Sequence, residues 1–154
     1  MKILMFLMFF LASSLISQEL KVKANQFSAD EKSGISIFKG KVDVVKGKDN
    51  IKAQKVVIYT DEKHQPIKFI ATGDVSFEIK TKKGSAYKGK AQKVIYIPKS
   101  KEYNFFGNVH LQQLDEKKEI IGEEVVLKTI EGKAYAKGAK QEPVIMIFKM
   151  KEEE

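Results

Sequence analysis

Apolar and polar residues alternate along most of the chain after its first 18 residues. The longest run covers 67–79, where a small or apolar residue stands at every odd position, and the alternation recurs over 103–111 and 144–150. Successive side chains of a β-strand point to opposite sides, so this period of two predicts strands with one buried face and one wet face. These strands would be long for a globular protein, at roughly ten residues each.

Clusters of turn-forming residues separate these runs. Eight clusters fall at 30–34, 47–50, 61–66, 82–85, 98–101, 115–118, 131–132 and 140–143. Glycine, proline, asparagine and aspartate supply the backbone conformations that tight turns need. Eight turns between nine strands predict an all-β meander.

A repeat underlies the alternation. Its first element is a small residue, a polar pair and an apolar residue, and its second is a glycine that begins a Gly-X-Val triplet in three of the four copies. The small residues and the glycines are, in order, Ala24, Ala53, Ala91 and Gly122, and Gly40, Gly73, Gly107 and Gly138. The two elements are 16, 20, 16 and 16 residues apart.

A two-stranded unit of this kind, about 33 residues long, cannot bury its own apolar face, because a lone hairpin has nothing to pack on. Stacked units can, so the repeat predicts an array or a rolled sheet. The glycines then mark where the chain bends or where another backbone comes close. Short matches also arise by chance in a lysine-rich β protein, but the shared 16-residue offset favours a true repeat.

The first residues are typical of a secretory signal peptide. A basic start at Lys2 precedes an unbroken apolar run at 3–12 and small residues up to Ser17. The apolar stretch is shorter than the ~20 residues that cross a bilayer core, so we expect cleavage near Ser17, with an uncleaved anchor as the alternative. The expected parts are a signal peptide at 1–17, one domain at 18–150 and a charged tail at 151–154.

The charged residues exclude several functions. The 154 residues include 28 basic side chains, all of them lysine, 20 acidic side chains and no cysteine. Sequence-specific DNA reading relies on the planar guanidinium group, which is absent here, and disulfides or thiol catalysis require cysteine. The formal charge of +8 attracts anions such as nucleic acid, anionic lipid or lipopolysaccharide phosphate, although an AT-rich genome also encodes its cations as lysine.

The repeat resembles that of a known family. The signal peptide, the alanine-polar pairs and the triplets resemble the OstA-like domain of the lipopolysaccharide transport proteins over 18–150. The Gly-Asn-Val at 107–109 matches the family's triplet, the Gly-Asp-Val at 73–75 nearly so, and 40–42 carries lysine at its centre. The fourth copy lacks the valine.

The resemblance implies a β-jelly roll of long antiparallel strands, slightly open and twisted, whose apolar interior accepts the acyl chains of lipopolysaccharide in the periplasm. From the alternation, we expect these chains to contact the following inner-face residues: Ile37, Phe38, Val42, Val44, Phe69, Ala71, Val75, Phe77, Phe105, Val109 and Leu111. Any one of these is more often plain core than a ligand contact.

The resemblance also implies partners. Edge strands would join copies head to tail, and join them to an inner-membrane LptC-like protein and an outer-membrane LptD-like protein, so that lipid A crosses on a bridge. We expect the pairing edges at the two termini: Leu20, Val22 and Ala24, and Val144, Met146 and Phe148. The alternative for the last segment is a strand folded onto its own core with a solvated tail.

Catalytic motifs are missing from the sequence. His64 and His110 lack a second histidine at metal-ligand spacing, and neither stands beside a nucleophile motif. We predict a non-enzymatic periplasmic carrier with no cofactor, metal or nucleic-acid partner. The alternatives are a membrane-anchored LptC-like relative and a secreted β module that binds polysaccharide or nucleic acid.

Overall fold

The computed structural model describes residues 19–152, and all of the regular structure in this range is β-strand. The strands are β1 Leu20–Lys23, β2 Gln26–Asp30, β3 Ile35–Lys46, β4 Asp49–Thr60, β5 Pro66–Lys80, β6 Ala86–Ile97, β7 Glu102–Gln113, β8 Lys118–Lys128, β9 Lys133–Lys137 and β10 Ile145–Phe148. The predicted signal peptide at 1–17 lies outside the described residues.

All strands join one antiparallel sheet in the order β1-β3-β4-β5-β6-β7-β8-β10, with β2 also paired to β3 and β9 also paired to β8. From β3 to β8 each strand pairs with the next along the chain. The predicted all-β fold and its meander are therefore confirmed, and the eight predicted turns fall at the observed connections, four of them overlapping a strand end by one or two residues.

One more strand is present than the nine predicted, because the first strand is interrupted at Ala24 and Asn25. On either side of the interruption, β1 pairs with 43–46 and β2 with 35–39, so both lie along β3. The Asn25 amide donates a hydrogen bond to the Gly40 carbonyl at 2.9 Å. The N-terminal segment is divided into two strands at this position because β3, with which both strands pair, bends there.

The bends lie at the predicted glycines. Gly40, Gly73 and Gly107 have φ angles of 81, 85 and 81°, each is followed by a residue that also has a positive φ, and the pairing register shifts at each one. Such bulges kink a strand and strengthen its twist. At Gly73 an added Cβ would lie 2.7 Å from the Cβ of Gln54 on the neighbouring strand, so both the conformation and the space require glycine.

The fourth copy of the repeat differs. Gly138 follows the end of β9, and an added Cβ there would lie 2.3 Å from the carbonyl oxygen of Glu142 in the connection to β10. β9 pairs with 124–128 and β10 with 118–121. The interruption between these two strands therefore lies beside the bends, as does the interruption between β1 and β2.

This line of bends divides the sheet into two halves that fold face to face. Half I contains 35–39, 55–60, 66–72, 93–97, 102–106 and 124–128, with β2 and β9 at its edges. Half II contains 42–46, 49–53, 75–80, 86–91, 109–113 and 118–122, with β1 and β10 at its edges. The rings of Phe77 in half II and Phe105 in half I lie 4.3 Å apart between centroids, so the core forms between the halves.

Candidate functional site

The interior between the halves contains nearly all of the residues predicted to face lipid. Nine of the eleven are buried there: Val42, Val44, Phe69, Ala71, Val75, Phe77, Phe105, Val109 and Leu111. Phe38 is half-buried and packs against this core. Alternation therefore identified the inner face, while contact of these side chains with lipid stays a prediction.

Ile37 is the exception, and its expected inner-face position is corrected. Phe38 pairs with Val56, which is 1 % exposed, whereas Ile37 pairs with Val57. Neighbouring residues of a strand point to opposite sides, so Ile37 lies on the outer face. Since Ile35, Ile37 and Phe38 are all apolar, hydrophobicity alone did not fix which side each one takes.

A small cavity of about 30 Å³ remains between the halves, close to β1. Its apolar wall consists of Leu20, Val44, Ile51, Val56, Phe69, Ala71 and Val94, with parts of Tyr96 and Tyr103. A space of this size holds about one or two water molecules and is too small for an acyl chain. Entry of an acyl chain therefore requires the two halves to separate.

The halves meet at their strand ends along a border that we call the mouth. Beside the cavity, side chains close it: the Tyr103 hydroxyl donates to Asp49 Oδ2 at 2.6 Å, and Lys46 Nζ donates to the Tyr96 hydroxyl at 2.5 Å. Farther along, the Lys82 amide donates to the Thr129 carbonyl at 3.1 Å. Two side-chain hydrogen bonds thus join the halves beside the apolar cavity.

Burial sets the protonation of these groups. It raises the pKa of Tyr96 to about 12 and raises the pKa of Tyr103 further, with the neighbouring Asp49 charge acting in the same direction. Desolvation lowers the pKa of Lys46, and Asp49 partly opposes that shift. Both shifts favour the neutral phenol, the form in which Tyr103 donates its hydrogen bond.

Sequence reasoning did not single out Lys46, Asp49, Tyr96 and Tyr103. The alternation gives one clue, because Tyr103 heads an inner-face run that continues through Phe105. A buried phenol needs a hydrogen-bond partner, but that partner lies 54 positions away and comes close only when the sheet folds.

At the N-terminal edge, the structure places the three predicted residues differently. Leu20 and Val22 in β1 are half-buried and pack against the core. Ala24 is exposed and lies in the break between β1 and β2. β2 is exposed along its whole length, and Phe27, 63 % exposed, packs on Phe38 with ring centroids 5.0 Å apart.

At the C-terminal edge, Val144 is half-buried against the core just before β10, whereas Met146 and Phe148 within β10 are 47 % and 58 % exposed. Ile145 and Ile147, on the other face of β10, are also exposed. Within residues 19–152, β10 pairs only with β8, so its outer edge presents unpaired backbone groups beside apolar side chains. Exposed strands of this kind invite pairing with another chain.

The histidines lie away from the interior. His64 is in the turn between β4 and β5, and Nδ1 of His110 lies 3.6 Å from a Glu119 carboxylate oxygen on the outer face. In the described part of the chain, no three histidine, cysteine or acidic side chains gather as metal ligands. A search of the same residues finds no helix long and apolar enough to span a membrane.

Comparison with known proteins identifies the class. The sequence profile of the family described as "LptA/(LptD N-terminal domain) LPS transport protein" matches residues 21–133, and the chain belongs to this family. The predicted resemblance to the lipopolysaccharide transport proteins is therefore confirmed.

The fold is also that of a solved member. The crystal structure of LptH, the LptA-homologous periplasmic component of the lipopolysaccharide transport device of Pseudomonas aeruginosa, superimposes with a TM-score of 0.77 at 19 % identity. The match covers 86 % of this chain and 96 % of that one. A search of curated protein sequences returned no significant match.

Proposed function

We propose that this protein is a periplasmic carrier that shields the acyl chains of lipopolysaccharide between the two halves of its sheet. Family membership supports lipopolysaccharide transport as its general role. The observation that carries the proposal is the apolar interior, with a cavity beside which two side-chain hydrogen bonds join the halves at the mouth. The proposed function is binding and transfer without catalysis.

The physical need for such an interior follows from the lipid. Each methylene exposed to water costs about 0.8 kcal/mol, so a multi-acylated lipid needs an apolar surface along its whole route. The inner faces of six long strands supply that surface in the described chain. Interior residues then form the hydrophobic core while the two halves are closed, and they contact lipid when the halves separate.

The edges support a second part of the proposal, which is that copies of the protein pair head to tail and pair with LptC-like and LptD-like proteins to form a bridge. β1 and β2 at one end and β9 and β10 at the other have backbone edges available for strand addition. In this arrangement the segment at 1–17 is a cleaved signal peptide and the chain works in the periplasm. Within residues 19–152, no observation favours a membrane anchor or a polysaccharide-binding role.

Photo-crosslinking tests the carrier. A photoreactive residue at Phe69 lines the cavity, whereas one at the adjacent Ile70 points to the outer face. In growing cells we expect the Phe69 variant to capture lipopolysaccharide at least about tenfold more efficiently than the Ile70 variant, as measured by immunoblotting of adducts. Equal capture at both positions, or none at Phe69, Val44 and Ile51, would overturn the proposal.

Charge substitution tests the C-terminal edge. Met146→Lys combined with Phe148→Lys should abolish concentration-dependent oligomers in sedimentation velocity, because lysines guard an edge against pairing. The fold should persist, since both side chains are exposed. The matched control is Ile67→Lys, which replaces an exposed apolar side chain in the central strand β5. Oligomers that are unchanged in the double variant would reject this edge.

A further inference from the structure

A second hollow, of about 570 Å³, lies at the mouth. Five lysines from three separate turns and strand ends line it: Lys46, Lys48, Lys80, Lys82 and Lys101. Its one acidic residue, Asp49, already accepts hydrogen bonds from the Tyr103 hydroxyl and from the Lys80 amide at 2.9 Å. The hollow is therefore strongly positive, with its single carboxylate held by neutral donors.

Ion pairing does not neutralise these lysines, unlike three lysines elsewhere in the described chain. Lys88, Lys118 and Lys133 each form an ion pair with a glutamate. Within residues 19–152, none of the five lysines of the hollow forms an ion pair. Their mutual repulsion raises the free energy of the empty hollow and is relieved by a bound anion.

The basic hollow adjoins the apolar cavity. Lys46, Asp49 and Tyr96 line both spaces, so only these side chains separate them. Lys46 is half-buried, and its ammonium reaches toward the cavity to donate to Tyr96, while Lys80, Lys82 and Lys101 remain exposed at the rim. Once the halves separate, an amphiphile could therefore place an anionic head in the hollow and an apolar chain in the widened cavity beside it.

We propose that the basic hollow binds the phosphate groups of the transported lipid while its acyl chains enter the adjoining cavity. This inference rests on the proposed carrier function and assigns it a headgroup site. Lysine suits the task because its ammonium offers three rotatable donors as a compact charge, which can follow a phosphate held at several angles. An arriving phosphate also competes with the Tyr96 hydroxyl for Lys46, which would loosen one of the two side-chain hydrogen bonds at the mouth beside the cavity.

The test compares lipid A carrying its phosphates with the same lipid after enzymatic dephosphorylation, by displacement of a fluorescent acyl probe from the mature protein. The hollow variant combines Lys80→Gln, Lys82→Gln and Lys101→Gln. The control combines Lys52→Gln, Lys55→Gln and Lys90→Gln, which remove the same charge from exposed positions on the outer face.

We expect the parent and the control to prefer the phosphorylated lipid by about tenfold, and the hollow variant to lose that preference while binding the dephosphorylated lipid as the parent does. A preference that survives in the hollow variant, or that falls equally in the control, overturns the site. Inorganic phosphate that binds as tightly as the lipid overturns it as a headgroup site. Failure of the parent to bind either lipid would instead reject the carrier function itself.

Discussion

The two halves of the sheet meet along two borders, the line of bends and the mouth, and these borders are closed in different ways. Along the line of bends six strands, β3 to β8, run from one half to the other, and three of them, β3, β5 and β7, bend through glycines with φ near +80°. Along the mouth the polar contacts between strand ends of the described chain are separate hydrogen bonds, donated by Lys46, by Tyr103 and by the Lys82 amide to the Thr129 carbonyl. The line of bends consists of continuous backbone with steric constraints at its glycines, whereas the mouth is closed by a short series of polar contacts.

This difference indicates where the roll can open. A hydrogen bond contributes a net ~0.5–1.5 kcal/mol to stability, so a few of them break far more readily than a series of bulged strands can be flattened. Regions of low local stability are the ones that move when a protein binds its ligand. We therefore expect the line of bends to act as a fixed spine and the mouth beside the cavity to act as the entry.

The largest effect is expected at the spine. Gly107→Ala places a Cβ 2.8 Å from the Cβ of Gln92 at a φ of +81°, so strain and steric overlap add. We expect the free energy of unfolding to fall by about 3 kcal/mol, measured by urea denaturation.

The control for this variant is Gly84→Ala, in a turn at the mouth. Gly84 also has a positive φ, of +93°, but an added Cβ would meet nothing within 4 Å. Only backbone strain applies at this position, and we expect the free energy of unfolding to fall by about 1 kcal/mol. Equal losses at Gly84 and Gly107 would show that the spine is not sterically specified.

A smaller effect is expected at the mouth. Tyr103→Phe keeps a ring that is 2 % exposed but removes the hydroxyl that donates to the Asp49 carboxylate. We expect a loss of about 1–2 kcal/mol in the free energy of unfolding, together with faster uptake of a fluorescent acyl probe in stopped-flow mixing. The control is Tyr135→Phe, an exposed position on β9 that should change neither quantity. If the Tyr103 variant is destabilised but takes up the acyl probe at an unchanged rate, lipid does not enter through the mouth.

The same variant carries a pH dependence. Because folding raises the pKa of Tyr103 above its ordinary value of 10.0, the neutral phenol stabilises the fold fully below pH 10, and this contribution is lost as pH rises beyond it. The stability difference between the parent and Tyr103→Phe should therefore be constant below pH 10 and shrink as pH rises above it. A constant difference would mean that the hydroxyl is not buried as the structure shows.

Much of this architecture could be predicted from residue patterns. The period of two identified the strands and, for ten of eleven residues, the inner face, because a strand half in water needs that alternation. The Gly-X-Val triplets identified three bends, since the backbone at Gly40, Gly73 and Gly107 adopts a conformation that favours glycine. Ile37 was misplaced because the neighbouring apolar residues on β3 obscure the period.

The sequence by itself thus determined an all-β chain of long strands that bend at regular intervals. Only the tertiary structure decided what those bends bring together. Folding about one line brings Lys101 to the neighbouring turns at 46–48 and 80–82, and it places Tyr103 on Asp49. These contacts join distant strand ends, so local periodicity cannot encode them, and they depend on the angle at which the two halves meet.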